Sequence, residues 1–324
     1  MTIRLAKVFG SLLAAGFVFP AQVSAQDAIE ASAEPAPTII QDFVIDRSDR
    51  MTVQVQVNGS AAVPFIVDTG AERTVIANDL ARRLALEEGP KLTLATISGR
   101  AEVNSFFIER LTATSVDLEG IEAPGLDRSN LGAYGLLGID SLEDNRVLLD
   151  FVHNKMEVMP STKRGSKTRV ERGMIVVSAK RRAGRMILSS ARIDGLSVDI
   201  ILDTGAQVTM GNTSLQNKLR RRHRIGDFRP VVMVSVTGST LPGEYTQIQS
   251  IEIDKLTIKG LPVTFSDNYA FKALKLQDRP AILLGMDSLK LFDRVIIDFG
   301  KRRVGFGLPS GVRRTSSERL ASAQ

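Results

Sequence analysis

The chain of 324 residues has no cysteine, no tryptophan and only two histidines, His153 and His223. Without cysteine there is no disulfide, no thiol nucleophile and no cysteine metal ligand. Neither histidine has a second metal ligand at local spacing, and His223 lies inside the run Arg220-Arg221-Arg222-His223-Arg224. No Gly-x-Ser-x-Gly elbow occurs, so a serine–histidine–acid triad is not expected. Neither a metal nor an organic cofactor is called for by these residues. Aromatic residues make up only 5% of the chain, which argues against generous aromatic pockets and leaves Phe106, Phe107 and Phe271 as candidates to line one.

Long apolar runs are scarce as well. The stretch Val8 to Pro20 follows Arg4 and Lys7 and precedes the small-residue site Val23-Ser24-Ala25, the pattern of an export signal. It is too short to cross a bilayer, which takes roughly 20 apolar residues. The expectation is cleavage after Ala25, an exported, periplasmic protein, and no transmembrane span after signal removal. The formal charge is +6, and losing Arg4 and Lys7 lowers it by two. The basic run at Arg220 to Arg224 reads as a solvated helix face, and nucleic acid as a partner conflicts with export.

What the chain does have is a repeat. Asp68-Thr69-Gly70-Ala71 recurs as Asp203-Thr204-Gly205-Ala206, each entered by an apolar stretch, Val63 to Val67 and Val198 to Leu202. Thr74 and Thr209 each lie six positions after the Asp. Downstream, Leu136-Leu137-Gly138-Ile139-Asp140-Ser141-Leu142 is matched by Leu283-Leu284-Gly285-Met286-Asp287-Ser288-Leu289, and both run on to Arg-Val-aliphatic-aliphatic-Asp-Phe. The offset grows from 135 at the acids to 148 at Asp150 and Asp298, so the copies differ by loop insertions. One structural unit has been duplicated in tandem.

Period-two alternation rich in Val, Ile and Thr predicts strands, as in Met51 to Val57 before the turn Asn58-Gly59 and Met186 to Ile193 before Asp194-Gly195. Asn78 to Leu86 and Thr213 to Arg222 read as short helices with Asn78 and Thr213 as N-caps. The expected layout is a signal peptide over 1–25, a disordered leader over 26–38, a first unit over 39–159, a linker over 160–172, a second unit over 173–308 and a flexible tail over 309–324. The fold class is all-β: two tandem barrel domains with short helices.

Two carboxylates about 3 Å apart share one proton and so present an acid and a base at the same moment. Asp68 and Asp203, each at the end of a strand in its own unit, are the candidate catalytic pair. Gly70 and Gly205 permit a close approach that a side chain would block. Thr69 and Thr204 hydroxyls can bond across to the opposite loop.

These motifs resemble the retropepsin-like aspartic proteases, with two units in one polypeptide as in pepsin and the shorter Asp-Thr-Gly-Ala units of the retroviral enzymes. The resemblance spans roughly Ile39 to Leu308, and with the signal peptide it is similar to bacterial periplasmic aspartic proteases. It implies two β-barrel domains about a pseudo-two-fold axis, with Gly138 and Gly285 in apolar-apolar-Gly segments that cross behind the acid loops. It also implies a β-hairpin flap 25 to 40 residues after an acid, for which Ser98-Gly99 and Thr237-Gly238 are the candidate tips, one flap or two being left open. The viral Arg after the apolar-apolar-Gly segment is missing: Asp140 and Asp287 stand near that place, and Asp140 with Glu143 resembles a helix capping box.

The activity implied is endopeptidase hydrolysis of an extended polypeptide, such as a loop or tail of an exported or membrane protein, by a monomer with an intramolecular dyad. Alanine at 71 and 206, in place of the hydroxyl residues common in pepsin-like loops, removes hydrogen bonds to the anion and predicts activity at mildly acidic to near-neutral pH. The competing readings are a non-catalytic peptide-binding or scaffold protein on the same fold, a glycosidase, and a dimer that pairs units between molecules.

Overall fold

The computed structural model describes residues 3–4, 52–113, 116–161 and 173–309. The export signal apart from residues 3–4, the leader 26–38, the first residues of the first unit, nearly all of the linker and all but residue 309 of the tail lie outside the described residues. Ile3–Arg4 pairs antiparallel with Leu256–Phe265.

Strand order shows the duplication directly. The first unit is a seven-stranded sheet in the spatial order Thr52–Val57, Val63–Val67, Gly135–Leu137, Val75–Ala77, Val116–Leu126, Gly99–Ala113, Glu88–Thr96. The second unit repeats that order as Arg185–Ile193, Leu196–Leu202, Ala281–Leu284, Met210–Gly211, Leu256–Phe265, Thr240–Ile253, Arg229–Val234. Both sheets close on themselves, Thr52–Val57 pairing also with Gly99–Ala113 and Arg185–Ile193 with Thr240–Ile253.

The strand leading to each acid is continuous and apolar because it is covered on both faces. Phe65 and Val67 are fully buried, as are Ile200 and Leu202. Each pairs in parallel with the apolar-apolar-Gly strand, Val67 opposite Leu137 and Leu202 opposite Leu284. Fully burying one such side chain contributes about 1.5–3 kcal/mol, and the main core runs through both units without a break. The opening turns follow their sequences: Asn58, Gly59, Asp194 and Gly195 all have positive φ, the backbone that Asn-Gly and Asp-Gly favour.

A third sheet joins the halves. Lys155–Pro160 and Asn145–Asp150 of the first unit are followed in order by Arg294–Asp298, Arg303–Gly307 and Ile175–Ser178 of the second. At its centre Arg294 lies opposite Asp150 and Asp298 opposite Arg146. The Arg294 guanidinium donates to Asp150 at 2.8 Å.

Two details differ from the sequence reading. The helices run Asn78–Arg83 and Thr213–Arg221, and their N-caps are Ala77 and Asn212, one residue before the expected Asn78 and Thr213. Asn212 keeps an extended backbone and accepts from Leu215 N at 2.9 Å, whereas the cap at Ala77 has no side-chain hydrogen bond. The basic run begins at the end of the second helix, where Arg220 stacks on Phe228 and pairs with Glu244. Arg221, Arg222 and Arg224 are exposed.

Candidate active site

Each acid loop begins where its strand is held from behind. Asp68 N donates to Leu137 O at 2.9 Å, and Asp203 N to Leu284 O at 3.1 Å. The chain then turns so that two amides converge on one oxygen of its own aspartate. Gly70 N and Ala71 N donate to Asp68 Oδ1 at 2.8 and 3.0 Å, and Gly205 N and Ala206 N donate to Asp203 Oδ1 at 2.9 and 3.0 Å. An aspartate that bonds the backbone two and three residues ahead fixes a tight turn.

The loops grip one another through their threonines. Thr69 N donates to Thr204 Oγ1 and Thr204 N to Thr69 Oγ1, both at 3.1 Å. Each hydroxyl donates in turn to the opposite strand, Thr69 Oγ1 to Leu202 O at 3.0 Å and Thr204 Oγ1 to Val67 O at 2.5 Å. Thr69 is fully buried and Thr204 nearly so, and in so dry a place four satisfied bonds specify one arrangement.

This grip brings the carboxyls face to face. A Cβ added to Gly70 would sit 2.4 Å from Asp203 Cγ, and one added to Gly205 would sit 2.2 Å from Asp68 Cγ. Gly138 and Gly285 are as tightly constrained, their would-be Cβ atoms 2.4 Å from Arg73 C and 2.6 Å from Val208 O. They are the points where the apolar-apolar-Gly segments pass behind the acid loops.

Asp140 does not cap a helix. Its two oxygens accept from Thr74 N and Thr74 Oγ1, both at 2.8 Å, while Glu143 pairs instead with Arg181 at 2.7 Å. Asp287 holds Thr209 N and Oγ1 in the same way. The capping-box reading is thus corrected: the residue after the glycine crossing braces the exit of the acid loop, where the resemblance would have an Arg. Burial raises the Asp287 carboxyl above its ordinary value against the pull of its Thr209 and Ser288 bonds.

Both candidate flaps are hairpins, and both arch over the acids. Glu88–Thr96 turns at Ile97-Ser98 into Gly99–Ala113, with Thr96 opposite Gly99. Arg229–Val234 turns through residues 235–239, including Thr237 and Gly238, into Thr240–Ile253. Their tips meet, Ser98 Oγ and Ser239 Oγ sharing a hydrogen bond at 2.6 Å. The first hairpin is also tied to the second unit, since Tyr269 N donates to Ile97 O at 3.0 Å and Arg100 Nε to the Tyr269 hydroxyl at 2.7 Å. Beneath the hairpins is a cavity of about 610 Å³ with Asp68 and Asp203 in its lining. None of the three expected phenylalanines lines it: Phe106 and Phe271 are buried and Phe107 faces solvent.

Residues 53–144 match the family model described as "gag-polyprotein putative aspartyl protease", and residues 189–288 match the one described as "Aspartyl protease". The chain belongs to the retropepsin-like aspartic proteases. A search of curated proteins returns no match.

In this retropepsin-like cleft Asp203 does not titrate as a free aspartate would. Asp203 is pushed up to about 8, first by burial and then by the facing Asp68, against the pull of the Ala206 amide and of Arg185. The cause is therefore desolvation and like-charge repulsion more than the absence of a hydroxyl at positions 71 and 206. Arg185 was not apparent in the sequence. It opens the second unit's barrel, donates through Nε to Gly70 O at 2.8 Å, and pairs with Glu72 at 3.1 Å, so one unit's cation clamps the other unit's acid loop. The signal that could have found it is its place at the head of the opening strand, two residues before Ile187, which pairs with Ile201 of the acid strand. Among the described residues there is no cluster of His, Asp and Glu able to hold a metal, and no helix long and apolar enough to cross a membrane.

Proposed function

We propose that the chain is an aspartic endopeptidase that hydrolyses peptide bonds in extended polypeptide segments, with Asp68 and Asp203 as an intramolecular dyad in a monomer. The observation that carries this reading is the reciprocal packing of each carboxyl against the other loop's glycine at the floor of a roofed cavity. A binding groove has no need of two repelling carboxylates held there.

The chemistry follows from one shared proton. A water held between the acids gives a proton to the ionised carboxylate as its oxygen attacks the scissile carbonyl carbon, and the protonated carboxyl passes its proton to the carbonyl oxygen. The tetrahedral diol then loses the amine: as the C–N bond breaks, the nitrogen takes a proton from the protonated carboxyl and one diol hydroxyl gives its proton to the ionised carboxylate, leaving a carboxylic acid product and a singly protonated dyad. Because Asp203 keeps its proton up to about 8, one acid and one base coexist at mildly acidic to near-neutral pH. The substrate lies extended beneath the two hairpins, its backbone pairing with their strands and its side chains filling alternate pockets. The export signal read from the sequence puts this work in the periplasm, on segments of exported or membrane proteins.

The deciding experiment is cleavage of a diverse peptide library by the mature protein between about pH 4 and 7.5. It is run with and without a statine-type inhibitor and beside Asp68→Asn and Asp203→Asn. Inhibitor-sensitive cleavage lost in both variants is the expected result. Loss in only one variant breaks the intramolecular dyad, and a folded wild-type protein that binds peptides without cutting any is a binding or scaffold protein.

A further inference from the structure

The two acid loops are equivalent residue by residue over a constant offset, so each wall of the cleft can be compared with its own duplicate. Position 72 is Glu where position 207 is Gln, position 73 is Arg where 208 is Val, and position 75 is Val where 210 is Met. All six line the cavity.

The chemistry of the two walls therefore differs. On the second unit's side Val208 packs with Met210, Met233, Leu283 and Ile97 on the apolar cluster beneath the second hairpin. On the first unit's side the Glu72 charge is taken by Arg185 at 3.1 Å. The Arg73 side chain stays 55% exposed, with Glu122 no closer than 3.9 Å. The remaining lining cation, Arg100, is engaged at the roof by the Tyr269 hydroxyl.

We infer that the cleft reads its substrate with opposite chemistry on its two sides: an acidic side chain against Arg73 on one side of the scissile bond, and an apolar side chain over Val208 and Met210 at the symmetry-related position on the other. This deepens, and rests on, the peptidase reading above. A basic residue facing Arg73 meets a like charge with the nearby carboxylates already partnered, and an acidic residue over Val208 loses its hydration to an apolar wall. Discrimination thus comes from repulsion as well as attraction.

The test uses peptides carrying Glu or Lys, and Leu or Asp, scanned through the positions around one cleavable bond. Binding is read by fluorescence anisotropy on the Asp68→Asn protein, where cleavage does not interfere, and kcat/KM is read on the wild type. Glu on the Arg73 side is expected to be preferred over Lys by about three- to tenfold, the range for a partly solvated charge pair. Arg73→Glu inverts that preference, Arg73→Val erases it, and Val208→Arg makes an acidic residue acceptable at the opposite position.

Equal binding of the Glu and Lys peptides, a preference untouched by either Arg73 substitution, or no peptide binding at all overturns the inference. A binding preference that obeys Arg73 in a protein whose wild type cuts nothing leaves this inference standing and removes the peptidase reading.

Discussion

At the first acid loop the amides of Gly70 and Ala71 reach Asp68 Oδ1 at 2.8 and 3.0 Å; at the second, those of Gly205 and Ala206 reach Asp203 Oδ1 at 2.9 and 3.0 Å. The threonine amides cross at 3.1 Å in both directions. Away from the carboxyls the copies part: Arg73 becomes Val208, Ile76 becomes Gly211, and the helix cap Ala77 becomes Asn212. Symmetry is kept where two carboxyls must face each other and is lost along the exit from each loop, at the exposed Arg73 and at the buried Ile76 and Ala77 alike. A duplicated unit can specialise its walls independently while the floor stays common.

The strongest way to break this comparison is at the glycines. Gly70→Ala and Gly205→Ala each put a methyl where the opposite carboxyl already is, and displacing a reacting group by about 1 Å costs on the order of a hundredfold in rate. Both variants are expected to lose at least about that much kcat/KM, and to similar extents. A large effect at one glycine alone would mean that the floor is not symmetric in function.

A smaller effect sharpens the comparison within the dyad. The folded-state value of Asp203 lies above its ordinary 3.8, so the folded protein holds a proton that the unfolded chain has already released. The contribution of this group to stability is therefore full below about pH 4 and is lost as pH rises toward about 8. Thermal melts should show this decline in the wild type and a flatter profile in Asp203→Asn. An unchanged slope would mean that Asp203 is not the proton's site.

The smallest expected effect separates the two helix starts. Asn212 donates to Leu276 O and Arg279 O and accepts from Leu215 N and Ala281 N, so Asn212→Ala should cost about 2–3 kcal/mol in denaturant unfolding. Asn78 is one residue past its cap, and its amide reaches only the exposed Asp127. Asn78→Ala should cost less than about 1 kcal/mol. Equal costs would mean that the two starts are equivalent after all.

Much of this was legible in the sequence because it is local or repeated. The Asp-Thr-Gly-Ala pair, the apolar-apolar-Gly segments and the Asn-Gly and Asp-Gly turns each act through their own neighbours or through a copy of themselves. What stayed hidden depends on partners far along the chain. Arg185 closes on Gly70 and Glu72, 115 and 113 residues away, from a stretch with Lys180, Arg181 and Arg182 that looks like ordinary solvated charge. Asp140 serves Thr74, 66 residues back, while its spacing to Glu143 imitates a cap. The meeting of Ser98 with Ser239 requires both barrels to be placed before the hairpins can touch.

The third sheet changes what the stretch between the halves is for. Asn145–Asp150 and Arg294–Asp298 zip directly, and Ile175–Ser178 lies at the far edge against Arg303–Gly307. The union of the halves is written in backbone pairing, so the peptide bonds between residues 161 and 173 serve to keep two partners at high local concentration and in equal number. Viewed this way the molecule is a heterodimer whose two subunits share one messenger. Breaking that tether would turn one polypeptide into two without taking the acids apart.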